Sequence, residues 1–127
     1  MPRCQKTPEG YVQSAILELL QLEHIWHVRL NSRTVHLPGW NGKMRPVYFG
    51  SPGMADILAT PIVGTHTIGA APLLFPGILW IECKAPDGKQ SPAQKLFEAA
   101  AREAGHHYLR ARGVDELREW LQEHHNA

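Results

Sequence analysis

The stretch Gly77-Ile78-Leu79-Trp80-Ile81-Glu82-Cys83-Lys84 decides how the rest of the chain is read. The run Ile78 to Ile81 has the continuous apolar character of a strand buried on both faces. Two charged residues close it. Because side chains alternate along a strand, Glu82 and Lys84 leave one face while Cys83 leaves the other. An acid and a base thus emerge together from the end of a buried strand. Taken alone, a Glu-x-Lys spacing arises by chance about once in every two or three chains of this length. Its neighbours give it weight. Upstream, Gly53-Met54-Ala55-Asp56-Ile57-Leu58 places an Asp in a second core strand, Ala55 to Ala59; downstream, Ser91-Pro92-Ala93-Gln94-Lys95 opens a helix.

Each flank has a physical reading. Asp56 is followed at once by apolar residues, where a carboxylate is costly to bury unless a cation or hydrogen bonds satisfy it; a capped turn would serve as well. After Lys84, the run Ala85-Pro86-Asp87-Gly88-Lys89-Gln90 turns the chain, and Ser91 with Pro92 forms an N-cap and first-turn pair. The helix is predicted over Pro92 to Ala104, with Ala93, Leu96, Phe97, Ala100, Ala101 and Ala104 on its packed side and Gly105 as its stop. Gln94 and Lys95 lie in its first turn, and a helix N-terminus attracts phosphate.

Toward the N-terminus, Thr7 is a cap, Pro8 a first-turn residue and Glu9 a partner for the positive helix end. Val12, Ala15, Ile16, Leu19 and Leu20 make the buried stripe of a helix over residues 8–22. His24 to Asn31 alternates as a strand, with Trp26 as a large anchor. Asn31 to Pro46 reads as a loop or irregular hairpin whose Arg33, Lys43 and Arg45 are placed to touch phosphates, or are simply solvated loop charges. Val47 to Phe49 is a short strand, and Gly50 to Gly53 a turn. Residues 60–77, rich in Gly and Pro and with Leu73, Leu74 and Phe75 clustered, hold no period. So long a connection is a hairpin excursion beside the site or part of a dimer contact. His66 within it reads as an exposed loop imidazole. His106 to Arg112 is a further strand, with Arg110 and Arg112 on one face. Val114, Leu117, Trp120 and Leu121 define a short last helix, after which His124 to Ala127 fray.

The chain of 127 residues is one expected domain, with flexible ends at 1–7 and 122–127. Its 13 Lys and Arg against 12 Asp and Glu do not announce a nucleic-acid binder, so any such reading rests on local patches. Cys4 and Cys83 stand in unlike contexts, which argues against a disulfide framework and for a reducing compartment. Neither a leader nor a bilayer-length apolar run is present, so a cytosolic protein with no membrane partner is expected, in the host cytosol if phage-encoded. No repeat, Cys-x-x-Cys pair or Gly-rich phosphate loop occurs, so zinc and nucleotide readings are poor.

Gly53-x-x-Asp56, Glu82-x-Lys84 and Gly88-Lys89-Gln90-Ser91-Pro92-Ala93-Gln94 together resemble the signature of the PD-(D/E)xK nuclease superfamily, in the VRR-NUC form found as stand-alone phage and bacterial proteins. The resemblance runs from Pro8 to Leu121. It departs at Ala55, where the family often has a Pro that shapes the backbone and carries no chemistry. It implies an α/β restriction-endonuclease-like core, with a mixed central sheet of about four to five strands flanked by helices in the order α-β-β-β-α-β-α. It also implies a catalytic set of Asp56, Glu82, Lys84 and Gln94, the Gln bonding a water or phosphate. The implied metal ligands are Glu9, Asp56, Glu82 and the backbone carbonyl of Cys83, although a helix-end dipole explains Glu9 equally. Arg29 and Asn31 would lie near the substrate channel, with Arg33, Lys43, Arg45, Lys89 and Lys95 as further DNA contacts.

Converging carboxylates repel unless a cation is present, and oxygen ligands suit Mg²⁺ or Mn²⁺. The expected activity is metal-dependent DNA endonuclease hydrolysis, selective for branched or junction DNA, by a homodimer. Two other readings stand beside it: a catalytically silent nuclease-like module that binds DNA or a protein, and a soluble α/β domain in which Glu-x-Lys is incidental.

Overall fold

A capped helix opens the architecture. The computed structural model describes residues 7–30, 33–69 and 71–125, with the side chains of 33–35, 47–49, 65–68, 71–72 and 125 set aside. Helix α1 spans Pro8–Leu22, and Thr7 caps it by accepting from the Gly10 N–H at 3.0 Å. Strands β1 (His27–Arg29), β4 (Ile57–Ala59), β7 (Leu79–Cys83) and β8 (His107–Ala111) form one mixed sheet in the order β1-β4-β7-β8. β4 pairs antiparallel with β1 and β7, whereas β7 and β8 run parallel, joined through α2 (Pro92–Glu103). Helix α3 (Val114–His125) follows. Hairpins β2–β3 (Arg33–Pro38 and Met44–Phe49) and β5–β6 (Ile62–Ile68 and Ala71–Pro76) are inserted on either side of β4. The chain is therefore mixed α/β, with a four-stranded mixed sheet and three helices among the described residues.

Alternation along β7 divides the core in two. Leu79, Ile81 and Cys83 pack with Ile16, Leu19 and Leu20 of α1 and Leu117 of α3, all of them buried. Trp80 faces the other way, toward Phe97 of α2 and Tyr108 of β8, and meets Phe97 edge-on at 5.1 Å. So α1 and α3 cover one face of the sheet and α2 the other. Full burial of an Ile or Leu is worth about 1.5–3 kcal/mol, which makes the α1/α3 face the main source of stability.

The differences from the sequence reading have physical causes. β1 begins at His27 rather than His24, because His24 adopts a left-handed φ of 55° on leaving α1. Trp26 is 61% exposed and anchors nothing in the core, since β1 is an edge strand. On α2 the inner row is Ala93, Phe97 and Ala101, so Leu96 is 73% exposed and Ala100 and Ala104 also face outward. Helix α3 does not end near Leu121: the His124 ring stacks on Trp120 at 3.9 Å, and its Nδ1 lies 2.8 Å from the Trp120 carbonyl. Of the two readings of 60–77, the hairpin is the one found, as β5–β6, with a register shift between Ile62 and Gly64. The short strand at Val47 to Phe49 starts at Met44. Cys4 and Asn31 lie outside the described residues, as do the side chains of Arg33 and His66. Among the described residues no helix is long and apolar enough to cross a membrane.

Candidate active site

Asp56 is held by its backbone before its side chain does anything. Its N–H donates to the Ile81 carbonyl at 3.0 Å, and its own carbonyl accepts from the Leu30 N–H at 2.7 Å, which ties it to β7 and to the end of β1. The carboxylate then accepts from the Cys83 N–H through Oδ2 at 2.7 Å. Three residues earlier, Gly53 has a φ of 74°, and a Cβ there would collide with the Ala93 carbonyl and the Gln94 N–H. Only glycine allows this loop to press against the first turn of α2. The Gly53-x-x-Asp56 spacing thus brings the acid beside the helix that carries Gln94.

The end of β7 supplies the other groups. The Lys84 N–H donates to the Ala111 carbonyl on β8 at 2.9 Å. A trans peptide directs its C=O and N–H oppositely, so the Cys83 carbonyl is turned to the Asp56 side. The Cys83 thiol is buried in the core, and burial, with Asp56, Glu9 and Glu82 nearby, pushes it up to about 12; it is no nucleophile. Glu82, on the α2 face, has 0% exposure. Its Oε1 accepts from the Tyr108 hydroxyl at 2.6 Å and from Gln90 Nε2 at 3.2 Å. Its Oε2 is buried with no hydrogen-bond partner. Such a group costs about 1–3 kcal/mol when left unsatisfied, and more if charged.

Lys84, 8% exposed, donates from Nζ to Gln94 Oε1 at 2.8 Å. The same oxygen accepts from the Ser91 N–H at 2.8 Å, and Ser91 Oγ accepts from the Gln94 N–H at 3.1 Å. Gln94 therefore closes a capping box and holds the lysine with a single atom.

The electrostatics join these parts. Burial raises the Asp56 carboxyl above its ordinary value; the Cys83 N–H bond opposes this, Glu9 and Glu82 add to the rise, and Lys84 offsets part of it. The charge of Glu9, in the first turn of α1, is thus felt at Asp56. Burial and the Glu82 hydrogen bond push the Tyr108 hydroxyl far above its usual range, so it remains a proton donor. Partial burial acts to raise the Glu98 carboxyl, yet hydrogen bonds from Gln90 and Arg102 and the charges of Arg102 and Arg110 hold it low.

Lys84 and Gln94 are therefore bonded directly, Asp56 is bonded to the Cys83 N–H between Glu82 and Lys84, and Glu82 and Glu9 reach Asp56 electrostatically. No three His, Cys, Asp or Glu among the described residues stand close enough together to hold a metal ion. Arg29, Lys89 and Lys95 are exposed, while Lys43 and Arg45 are exposed on the separate β2–β3 hairpin. Three residues of the network escaped the sequence reading. Tyr108 reaches Glu82 only through the parallel register that sets Trp80 opposite Tyr108 and Glu82 opposite Arg110. Gln90 stands in the quoted run before α2 but carries no role there, and Glu98, in the second turn of α2, belongs to no motif. A cavity of about 700 Å³ lies elsewhere, lined by residues including Leu19, Trp26, Pro61 and Leu121, and none of the residues of this network lines it. No protein-family model, curated protein or solved structure matches the chain.

Proposed function

We propose that this chain is a metal-dependent DNA endonuclease of the PD-(D/E)xK type in its VRR-NUC form, built on a restriction-endonuclease-like core. The order α1-β1-β4-β7-α2-β8-α3 around the central sheet supports the fold assignment. The observation that carries the function is the end of β7. There a buried glutamate with an unpartnered oxygen and a lysine held by Gln94 lie beside an aspartate raised by burial and, to a smaller extent, by neighbouring acids.

The donor set fits a hard divalent cation: an orphaned carboxylate oxygen and mutually repelling acids are both relieved by positive charge. Asp56, Glu82 and the Cys83 carbonyl would hold Mg²⁺ or Mn²⁺, with Glu9 of α1 adding negative charge at Asp56 rather than a third carboxylate ligand. When bound, the ion supplies Lewis acidity to a phosphoryl oxygen and acidifies a water. Tyr108 occupies Glu82 Oε1 and so leaves Oε2 as the donor with spare capacity. Lys84 orients the attacking water or stabilises charge developing on the phosphate, and Gln94 positions that lysine. The N-terminus of α2 favours a phosphate at the same mouth. Branched or junction DNA is the proposed substrate, a homodimer the proposed working state and the cytosol the proposed location.

The test is incubation with branched, flapped and linear DNA in Mg²⁺, in Mn²⁺ and in chelator. Cleavage is expected with either metal and none with chelator. The reading is rejected if the wild type cuts nothing or if Lys84→Ala cuts equally well. One observation favours a second reading, a catalytically silent module that binds DNA or a protein: Glu82 is sealed from solvent and already engaged by Tyr108 and Gln90. That module would bind without metal and would be indifferent to Glu82→Gln.

A further inference from the structure

From His24 to Ala55 the sequence carries Arg29, Arg33, Lys43 and Arg45 and not one Asp or Glu. The near-neutral total therefore conceals a segregated charge, and the β2–β3 hairpin lies within the basic part. β2 and β3 pair over six positions and, among the described residues, pack mainly on each other. The tip is ordered by its own bonds. The Gly39 N–H donates to the Lys43 carbonyl at 2.8 Å, the Gly42 N–H to the Gly39 carbonyl at 3.0 Å, and the Lys43 N–H to Asn41 Oδ1 at 3.1 Å. With Gly42 at a φ of 79°, Trp40-Asn41-Gly42 is a three-residue loop of the turn-plus-bulge kind. Trp40 on that loop is 100% exposed, with Lys43 and Arg45 following on β3 and also exposed.

A lone exposed apolar side chain is ordinary. An indole presented in full by a rigid turn, on an arm bearing cations and no acid, has a specific complement: a polyanion with flat apolar faces. We infer that the β2–β3 hairpin is a nucleic-acid arm, with Trp40 stacking on an unpaired base and Lys43 and Arg45 neutralising the adjacent phosphates. Base–aromatic stacking is tolerant of sequence but demands an unstacked base. The arm thereby selects branch points and single-stranded segments over continuous duplex. The hairpin leaves the sheet after Leu30, bonded to Asp56, and returns through Gly53, pressed on α2. Six residues of strand span about 20 Å. The indole therefore marks a base within about six nucleotide steps of the cleft. This inference rests on the DNA reading of the site and deepens it by naming the feature that is recognised.

The experiment measures binding of the full chain, without divalent metal, to a labelled fork bearing unpaired bases and to a fully paired duplex of equal length. Trp40→Ala is expected to weaken fork binding about tenfold and duplex binding less than about twofold, with Trp40→Phe retaining most of the affinity. The double variant Lys43→Ala/Arg45→Ala is expected to weaken both substrates alike and to reduce the salt slope by about 1.5 to 2. Unchanged melting temperature for Trp40→Ala accompanies the supporting result. The inference is overturned if Trp40→Ala binds both DNAs as the wild type does, if the wild type binds neither, or if Trp40 instead drives partition onto phosphatidylserine vesicles. Metal-dependent cleavage with Trp40-independent binding removes the arm alone. Trp40-dependent fork binding without cleavage removes the nuclease reading and leaves the arm.

Discussion

The cleft at the end of β7 and the β2–β3 hairpin treat their polar groups in opposite ways. In the cleft, Lys84 is bonded to Gln94, and Glu82 to Gln90 and Tyr108, all of them buried or half-buried. On the hairpin, Lys43, Arg45 and Trp40 face water. Interior bonds fix a geometry that chemistry can use, whereas exposed groups can be exchanged for a ligand at little cost to the fold. Mutations in the cleft should therefore disturb both stability and turnover, and mutations on the arm should disturb recognition alone.

The sharpest way to break this contrast is Lys84→Ala. On the proposed nuclease reading, removing the charge that would face the reacting phosphate should lower the cleavage rate about 10²- to 10³-fold in a single-turnover assay on branched DNA. Gly53→Ala comes next: it puts a Cβ into the α2 backbone and strains a left-handed residue, so denaturant unfolding should show a loss of about 1–3 kcal/mol, with cleavage lost as well. Tyr108→Phe removes the hydroxyl bond to Glu82 and should cost about 1.5–3 kcal/mol by the same measurement.

Asp56 gives a smaller effect, with a sign that discriminates. Its folded value is raised, so between the ordinary 3.8 and that raised value the folded chain binds more protons than the unfolded one. Its contribution makes stability fall as pH rises through that window, and Asp56→Asn should flatten the fall. Added Mn²⁺ should reverse the slope, because a cation displaces the proton and binds better as pH rises. Thermal melts across pH, with and without metal, read this directly. At the small end, Trp40→Ala should change unfolding free energy by no more than about 0.5 kcal/mol. A larger loss would mean that the hairpin is packed rather than free.

How far the sequence carried the reading follows the same division. Thr7 and Ser91 announce their helices through local capping chemistry, and both helices begin where those residues place them. The apolar run before Glu82 announces β7 because burial on both faces leaves a local trace. The hairpins leave a weaker one: the sequence allows a hairpin at each place but fixes no strand ends, because Pro38, Pro46, Pro72 and Pro76 stand in two-stranded ribbons, where a missing N–H can face an open edge. In the site, Asp56, Glu82, Lys84 and Gln94 were legible as spaced residue types. Tyr108 was not, because the parallel register between β7 and β8 is a long-range property. Gln94 also gained a meaning. The sequence suggested a phosphate or water ligand, and the structure adds that its Oε1 is shared by Lys84 and Ser91.

That shared oxygen makes the lysine's position hostage to the fraying of a helix end. Each opening of the first turn of α2 that draws Gln94 away would release Lys84 as well. Amide exchange at Ser91 and Gln94 therefore becomes a clock for how often the cleft loses its cation.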